Sequence, residues 1–118
     1  IKKADKEWLD NVNAIIADNL TNEKFNIDIL CEEVYMSRSN LQRKFRSLVN
    51  LTVGEYIRSV RMEKAYQLLS ESDYSISQIS EIVGINNVTY FSKCFMKQYG
   101  FSPKDIRKGT STSGKLEL

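Results

Sequence analysis

Between Ser37 and Val49 the chain carries four basic side chains, Arg38, Arg43, Lys44 and Arg46, and no acidic one. A solvated helix face ordinarily mixes the two signs. Wound at about 100° per residue, Leu41, Phe45 and Leu48 gather on one side of this segment. Ser39, Arg43 and Arg46 centre on the other, flanked by Asn40 and Gln42. These side-chain types suit the edges of base pairs. An arginine fork matches guanine O6 and N7, and Gln or Asn matches adenine N6 and N7. Lys and Arg also neutralise phosphate, which supplies much of the affinity for nucleic acid. Taken by itself, the segment has a plain alternative reading as solvated surface.

A second segment has the same layout with milder chemistry. Phe91 and Phe95 fall on one side, with Thr89, Lys93 and Met96 opposite and Tyr90 and Ser92 at the flanks. Thr and Ser hydrogen-bond to bases, and Val88, near the start, suits a thymine methyl group. Only Lys93 and Lys97 are charged here, so less electrostatic affinity and a looser sequence preference are expected.

The elements that must carry these side chains are helical by their apolar spacing. Trp8, Val12, Ile15, Ile16 and Leu20 mark a helix over about 5–20. Ile27, Leu30, Cys31 and Val34 mark a short one over 27–34, with Asn26 or Thr21 as cap. Ser37 reads as the N-cap of a helix over 38–49. Thr52 and Glu55 form a capping box that opens a long helix over 53–70, with Ile57, Ala65, Leu68 and Leu69 inward and Met62 beside them. Ile76, Ile79, Ile82 and Val83 make a further short helix ended by Gly84. Asn86 or Asn87 caps the next, Gly100 ends it, and Ser102-Pro103 starts a last helical turn. No segment alternates as a strand would, so the fold is expected to be all-α.

An internal repeat organises these helices. Ile27, Leu30 and Val34 recur as Ile76, Ile79 and Val83, an offset of 49. Leu41 and Phe45 recur as Phe91 and Phe95, and 50–53 recurs as 100–103, both at an offset of 50. Each unit is a short helix, a tight turn and a second helix, which is a helix-turn-helix pattern present twice. Duplication weakens the solvated-surface alternative, because two polar helices occupy equivalent places.

Composition narrows the function further. The 118 residues suit one compact domain or two very small ones sharing a core. There is no histidine, the commonest general acid/base and zinc ligand, and Cys31 and Cys94 are expected to be core or boundary residues. No nucleophile–base pair, phosphate-cradling glycine loop or metal cluster is apparent, so neither enzyme activity nor a cofactor is expected. No run is long and apolar enough to span a bilayer and no secretory signal is visible, so no membrane contact and a cytoplasmic location are expected. The first residue is Ile1, not Met, which suggests a piece of a longer protein. The net charge of +2 divides unevenly. Residues 1–33 hold four basic and eight acidic side chains, net −4, and 34–118 hold thirteen and seven, net +6. A basic portion of this kind points to nucleic acid as partner.

Three stretches carry a family resemblance: 36–46 (MSRSNLQRKFR), 56–62 (YIRSVRM) continuing to Ala65 and Leu68-Leu69, and 76–84 (ISQISEIVG) followed by 90–95 (YFSKCF) and 100–103 (GFSP). Over about residues 8–107 the chain resembles the DNA-binding domain of AraC/XylS-type bacterial transcription regulators. The resemblance implies a seven-helix bundle of two helix-turn-helix subdomains joined by a long linker helix. Residues 1–52 would hold the N-terminal helix and first subdomain, 53–70 the linker, 71–108 the second subdomain and 109–118 a flexible tail. It implies sequence-specific binding of double-stranded DNA, with both second helices in successive major-groove segments. An eighteen-residue linker spans about 27 Å, against about 34 Å for one turn of DNA.

Carried over position by position, the base contacts are Ser39, Gln42 and Arg43, then Val88, Thr89, Ser92 and Lys93. Arg38, Asn40, Lys44, Arg46, Tyr90 and Lys97 fall to the backbone or flanks, and Arg61 to the linker, with structure as its other role. The resemblance extends to output domains of hybrid two-component sensors of Bacteroides type, implying an upstream sensor or receiver domain; a small-molecule-binding domain is the other arrangement. RNA polymerase is the further partner expected. Four positions depart from the family pattern: Ile85 for Phe, Ile106 for Tyr, Met96 for Lys, and Tyr35 for Gly, which predicts a wider or strained first turn. The contrasting reading is a helical protein-interaction module, with the apolar surface of the first or linker helix as its interface.

Overall fold

The computed structural model describes residues 2–108, and the expected tail at 109–118 lies outside them. Among the described residues there are seven helices and no strand. They are α1 (Lys3–Asp18), α2 (Ile27–Val34), α3 (Arg38–Val49), α4 (Val53–Glu71), α5 (Ile76–Ile82), α6 (Val88–Tyr99) and α7 (103–108). The chain divides into two compact units between Val60 and Arg61, inside α4.

The cap residues show the repeat most plainly. Asn26 and Ser75, offset by 49, accept from the N–H groups of Ile29 and Gln78 at 3.1 and 3.0 Å. Ser37 and Asn87, offset by 50, accept from Asn40 and Tyr90 at 3.2 and 3.0 Å. Thr52 with Glu55 and Ser102 with Asp105, again offset by 50, are reciprocal capping boxes with bonds of 3.0–3.1 Å. Each such cap is worth about 1 kcal/mol, so six of the seven helix starts are specified locally. Hydrogen bonds from the Ser102 backbone N–H and hydroxyl also hold the Asp105 carboxyl below its ordinary pKa.

Helix ends repeat in the same way. Asn50 (φ 56°) and Gly100 (φ 81°) are left-handed caps whose N–H groups reach the Arg46 and Met96 carbonyls at 3.1 and 2.8 Å. In the two tight turns, Tyr35 (φ 55°) and Gly84 (φ 83°) take the left-handed position. The bond closing each turn is the same, Met36 N–H to the Cys31 carbonyl at 3.1 Å and Ile85 N–H to the Ser80 carbonyl at 2.9 Å. The first turn is therefore not wider than the second. The expected departure at Tyr35 is expressed as strain, because a side chain at positive φ crowds the following carbonyl.

The first unit packs Val12, Ile16, Phe25, Leu30, Leu41, Phe45, Val53 and Ile57 into one core. Phe45 is ringed edge-on by Trp8 at 5.6 Å and Tyr56 at 5.1 Å, and the Tyr56 hydroxyl donates to Asn13 Oδ1 at 2.6 Å. The second unit packs Met62, Ala65, Leu69, Ile79, Val83, Phe91, Cys94, Phe95 and Ile106. Ile85 is packed against that core and Ile106 is part of it, so both departures from the family pattern keep an apolar group inside.

Three details differ from the sequence reading. Helix α1 runs Lys3–Asp18, leaving Leu20 in the following turn. Helix α4 has no single apolar face: Val53 and Ile57 serve the first core, and Met62, Ala65 and Leu69 the second. Phe25, outside every periodic stretch, is only 5% exposed. It precedes the Asn26 cap, the staple position opposite Leu30, where an apolar side chain fixes the path into a helix.

Candidate nucleic-acid interface

In the first unit, Leu41 and Phe45 anchor α3 to the core and turn Arg38, Ser39, Asn40, Gln42, Arg43 and Arg46 outward, all exposed. Arg43 Nη1 donates to Asn40 Oδ1 at 3.3 Å, one turn earlier on the same helix. That bond biases the guanidinium towards the start of α3, the end of a reading helix that reaches base edges. Arg38 Nη1 lies 3.4 Å from Asp28 Oδ1, with both side chains more than 60% exposed. A pair this exposed is worth at most about 1 kcal/mol and leaves Arg38 available to a stronger anion.

Lys44 stands apart. It is half-buried, and its Nζ sits 4.5 Å from the centroid of the Trp8 ring. The cation is held by the Trp8 ring face, one helical turn after Asn40. The basic count of the segment had grouped Lys44 with the arginines. Lys44 follows Leu41 by three residues and precedes Phe45, at the edge of the apolar stripe.

In the second unit, Phe91, Cys94 and Phe95 anchor α6. Val88, Thr89, Tyr90, Lys93 and Lys97 are exposed and Ser92 is half-buried. Five of these six, all but Tyr90, line a concave surface of about 760 Å³, which also takes in Met96 and, from α7, Pro103 and Lys104. No acidic residue lines this surface. Sequence reading set Met96 on this face without counting it as a contact, and it missed Lys104. The wheel position of Met96 was legible, whereas Lys104 comes to the surface only through the fold of α7.

The turn between α5 and α6 is held by buried groups. The Ser80 side chain, 1% exposed, donates to the Ile85 carbonyl across the turn. Arg61, 6% exposed, donates from Nη1 to the Val83 carbonyl at the end of α5, and its burial lowers its pKa. Arg61 is thus placed to fix where α5 ends, and it contributes nothing to the exposed surface. Arg107 of α7 ties the loop after α4 by reaching the Leu69, Ser72 and Tyr74 carbonyls. These contacts fix the turn that leads into α6 and the loop after α4 within the second unit.

Comparison with known proteins places this arrangement. The helix-turn-helix domain family matches residues 30–109. The chain belongs to the AraC-type helix-turn-helix family of DNA-binding domains. It resembles the C-terminal domain of the two-component response regulator yesN from Fusobacterium nucleatum, with a TM-score of 0.77 and 30% identity over 86% of this chain and 98% of that one. It also resembles the DNA-binding domain of the global transcriptional factor AdpA, solved in complex with a target DNA, with a TM-score of 0.81 and 28% identity over 89% and 94% of the two chains. In sequence it is 37% identical over 107 residues to histidine kinase P4 of Formosa agariphila. The chain spans 91% of its own length in that match but only 8% of the relative's. Among the described residues of this AraC-type domain, no helix is long and apolar enough to cross a membrane.

Proposed function

We propose that this AraC-type domain binds double-stranded DNA sequence-specifically as the output of a bacterial transcription regulator, with α3 and α6 each reading a major-groove segment. The observation that carries the reading is the pair of second helices at equivalent repeat positions, each anchored by two phenylalanines or a Leu–Phe pair and each presenting an exposed face without acidic groups. Ser39, Gln42 and Arg43 take base edges from α3, and Val88, Thr89, Ser92 and Lys93 from α6. Arg38, Asn40, Arg46, Tyr90 and Lys97 take phosphates and flanks. Lys44, committed to Trp8, positions α3 instead.

The test is a titration of labelled duplex at two salt concentrations. Each phosphate neutralised should contribute a slope of about 0.9 in log K against log salt. Affinity that ignores salt refutes the reading. The response-regulator and histidine-kinase relatives support a two-component parent chain with an upstream receiver or sensor domain, and a cytoplasmic location goes with DNA as the partner. A protein-contact role stands beside DNA binding, favoured by Tyr66 and Phe101, which are 38% and 37% exposed at the edge of an aromatic cluster with Phe95 and Tyr99. RNA polymerase and the parent chain are the partners to try, by pull-down with nuclease present to exclude bridging through DNA.

A further inference from the structure

Among the described residues, seven large apolar side chains are substantially exposed, and three of them, Val88, Tyr90 and Met96, belong to α6. None belongs to α3, whose outward face is entirely polar. Val88 is 37% exposed and Met96 45%, and both line the concave surface of the second unit. They stand at i and i+8, two turns apart on one stripe of the helix, with Ser92 between them. Phe91, Cys94 and Phe95 make the buried side of α6, and Ile76 and the buried Pro103 line the same concave surface as Val88 and Met96.

The major groove presents one apolar group, the C5-methyl of thymine; every other feature on its base edges is a hydrogen-bond donor or acceptor. An apolar stripe on a groove-reading helix therefore has one complement there. Val88 is the first residue of α6, and the first residues of a reading helix are those that reach base edges. We infer that the two units divide the recognition chemistry: α3 reads hydrogen-bond patterns through its arginine and amide side chains, and α6 selects thymine through methyl contacts made by Val88 and Met96. The inference rests on the DNA-binding reading above.

The test uses the whole chain. A preferred duplex is selected from a random pool, and each thymine is then replaced singly by deoxyuridine. That change removes only the methyl and leaves every hydrogen-bonding edge intact. At one or more thymines the replacement weakens binding about fourfold, the ratio for one methyl group removed from an apolar contact. In Val88→Ala or Met96→Ala the penalty at that position disappears, whereas in Arg43→Ala it persists. Both side chains are exposed, so the variants keep their fold, checked by unchanged circular dichroism melts. Uracil tolerated without loss at every thymine, or a penalty that survives in both α6 variants, overturns the division of labour while selective DNA binding stands. A chain that discriminates no duplex in the initial selection overturns the DNA reading and this inference with it.

Discussion

Replacing Tyr35 by glycine should stabilise the domain, although it removes a large aromatic side chain. Tyr35 sits at φ 55° in the first tight turn, where the equivalent position of the second turn is Gly84 at φ 83°. A residue with a Cβ costs about 1–2 kcal/mol in the left-handed region. The Tyr35 side chain is 94% exposed, so its removal gives up almost no packing. Glycine returns about 0.5–1 kcal/mol to the unfolded chain as conformational freedom. The net gain is about 0.5–1 kcal/mol, or a rise of about 2–6 °C in melting temperature for a domain of this size. Thermal and urea unfolding followed by circular dichroism measure it. A melting temperature that stays put or falls refutes the reasoning, because it means the tyrosine ring makes stabilising contacts or the turn is not left-handed.

The same logic runs in reverse at Gly100, whose φ is 81° and where an added Cβ would meet nothing within 4 Å; Gly100→Ala should cost about 1 kcal/mol from backbone strain alone, read in the same melts. Arg43→Ala should lose about 1–3 kcal/mol on the preferred duplex and little on scrambled DNA, whereas equal loss on both in a competition titration would make Arg43 a phosphate contact. Lys44→Gln should lower stability by about 0.5–1 kcal/mol, the worth of its place over Trp8, and leave the salt dependence of DNA binding unchanged; a slope lower by about 0.9 would show that Lys44 grips a phosphate after all. Ser80→Ala should cost about 1–3 kcal/mol in urea unfolding, because it removes the buried donor to the Ile85 carbonyl; stability equal to the parent chain would show that the turn does not depend on it.

Much of the fold was legible because its information is local. The caps at Ser37, at Thr52 with Glu55, and at Asn87, and the stops at Gly84 and Gly100, are set by side chains within a few residues of the backbone groups they serve. The apolar stripes through Leu41 and Phe45, and through Phe91 and Phe95, fix which faces of α3 and α6 turn outward. What escaped reading depends on contacts distant in sequence. Lys44 is drawn to Trp8, 36 positions earlier, and charge counting alone places it with Arg43. Arg107 bonds carbonyls 33–38 residues away. Helix α4 defeats periodicity because it packs into two cores. Phe25 lies between helices, where no period applies. The Ser75 cap lies outside every apolar stripe, although Gln78 three residues on completes its capping box at 2.8 Å.

Selection of preferred duplexes from a random pool, run in parallel with the parent chain, Arg43→Ala and Val88→Ala, tests the central claim of two separate reading helices most directly. The predicted result is a site with two informative segments for the parent chain, one relaxed by Arg43→Ala and the other by Val88→Ala. A single informative segment relaxed equally by both variants, or no preferred sequence for the parent chain, contradicts it.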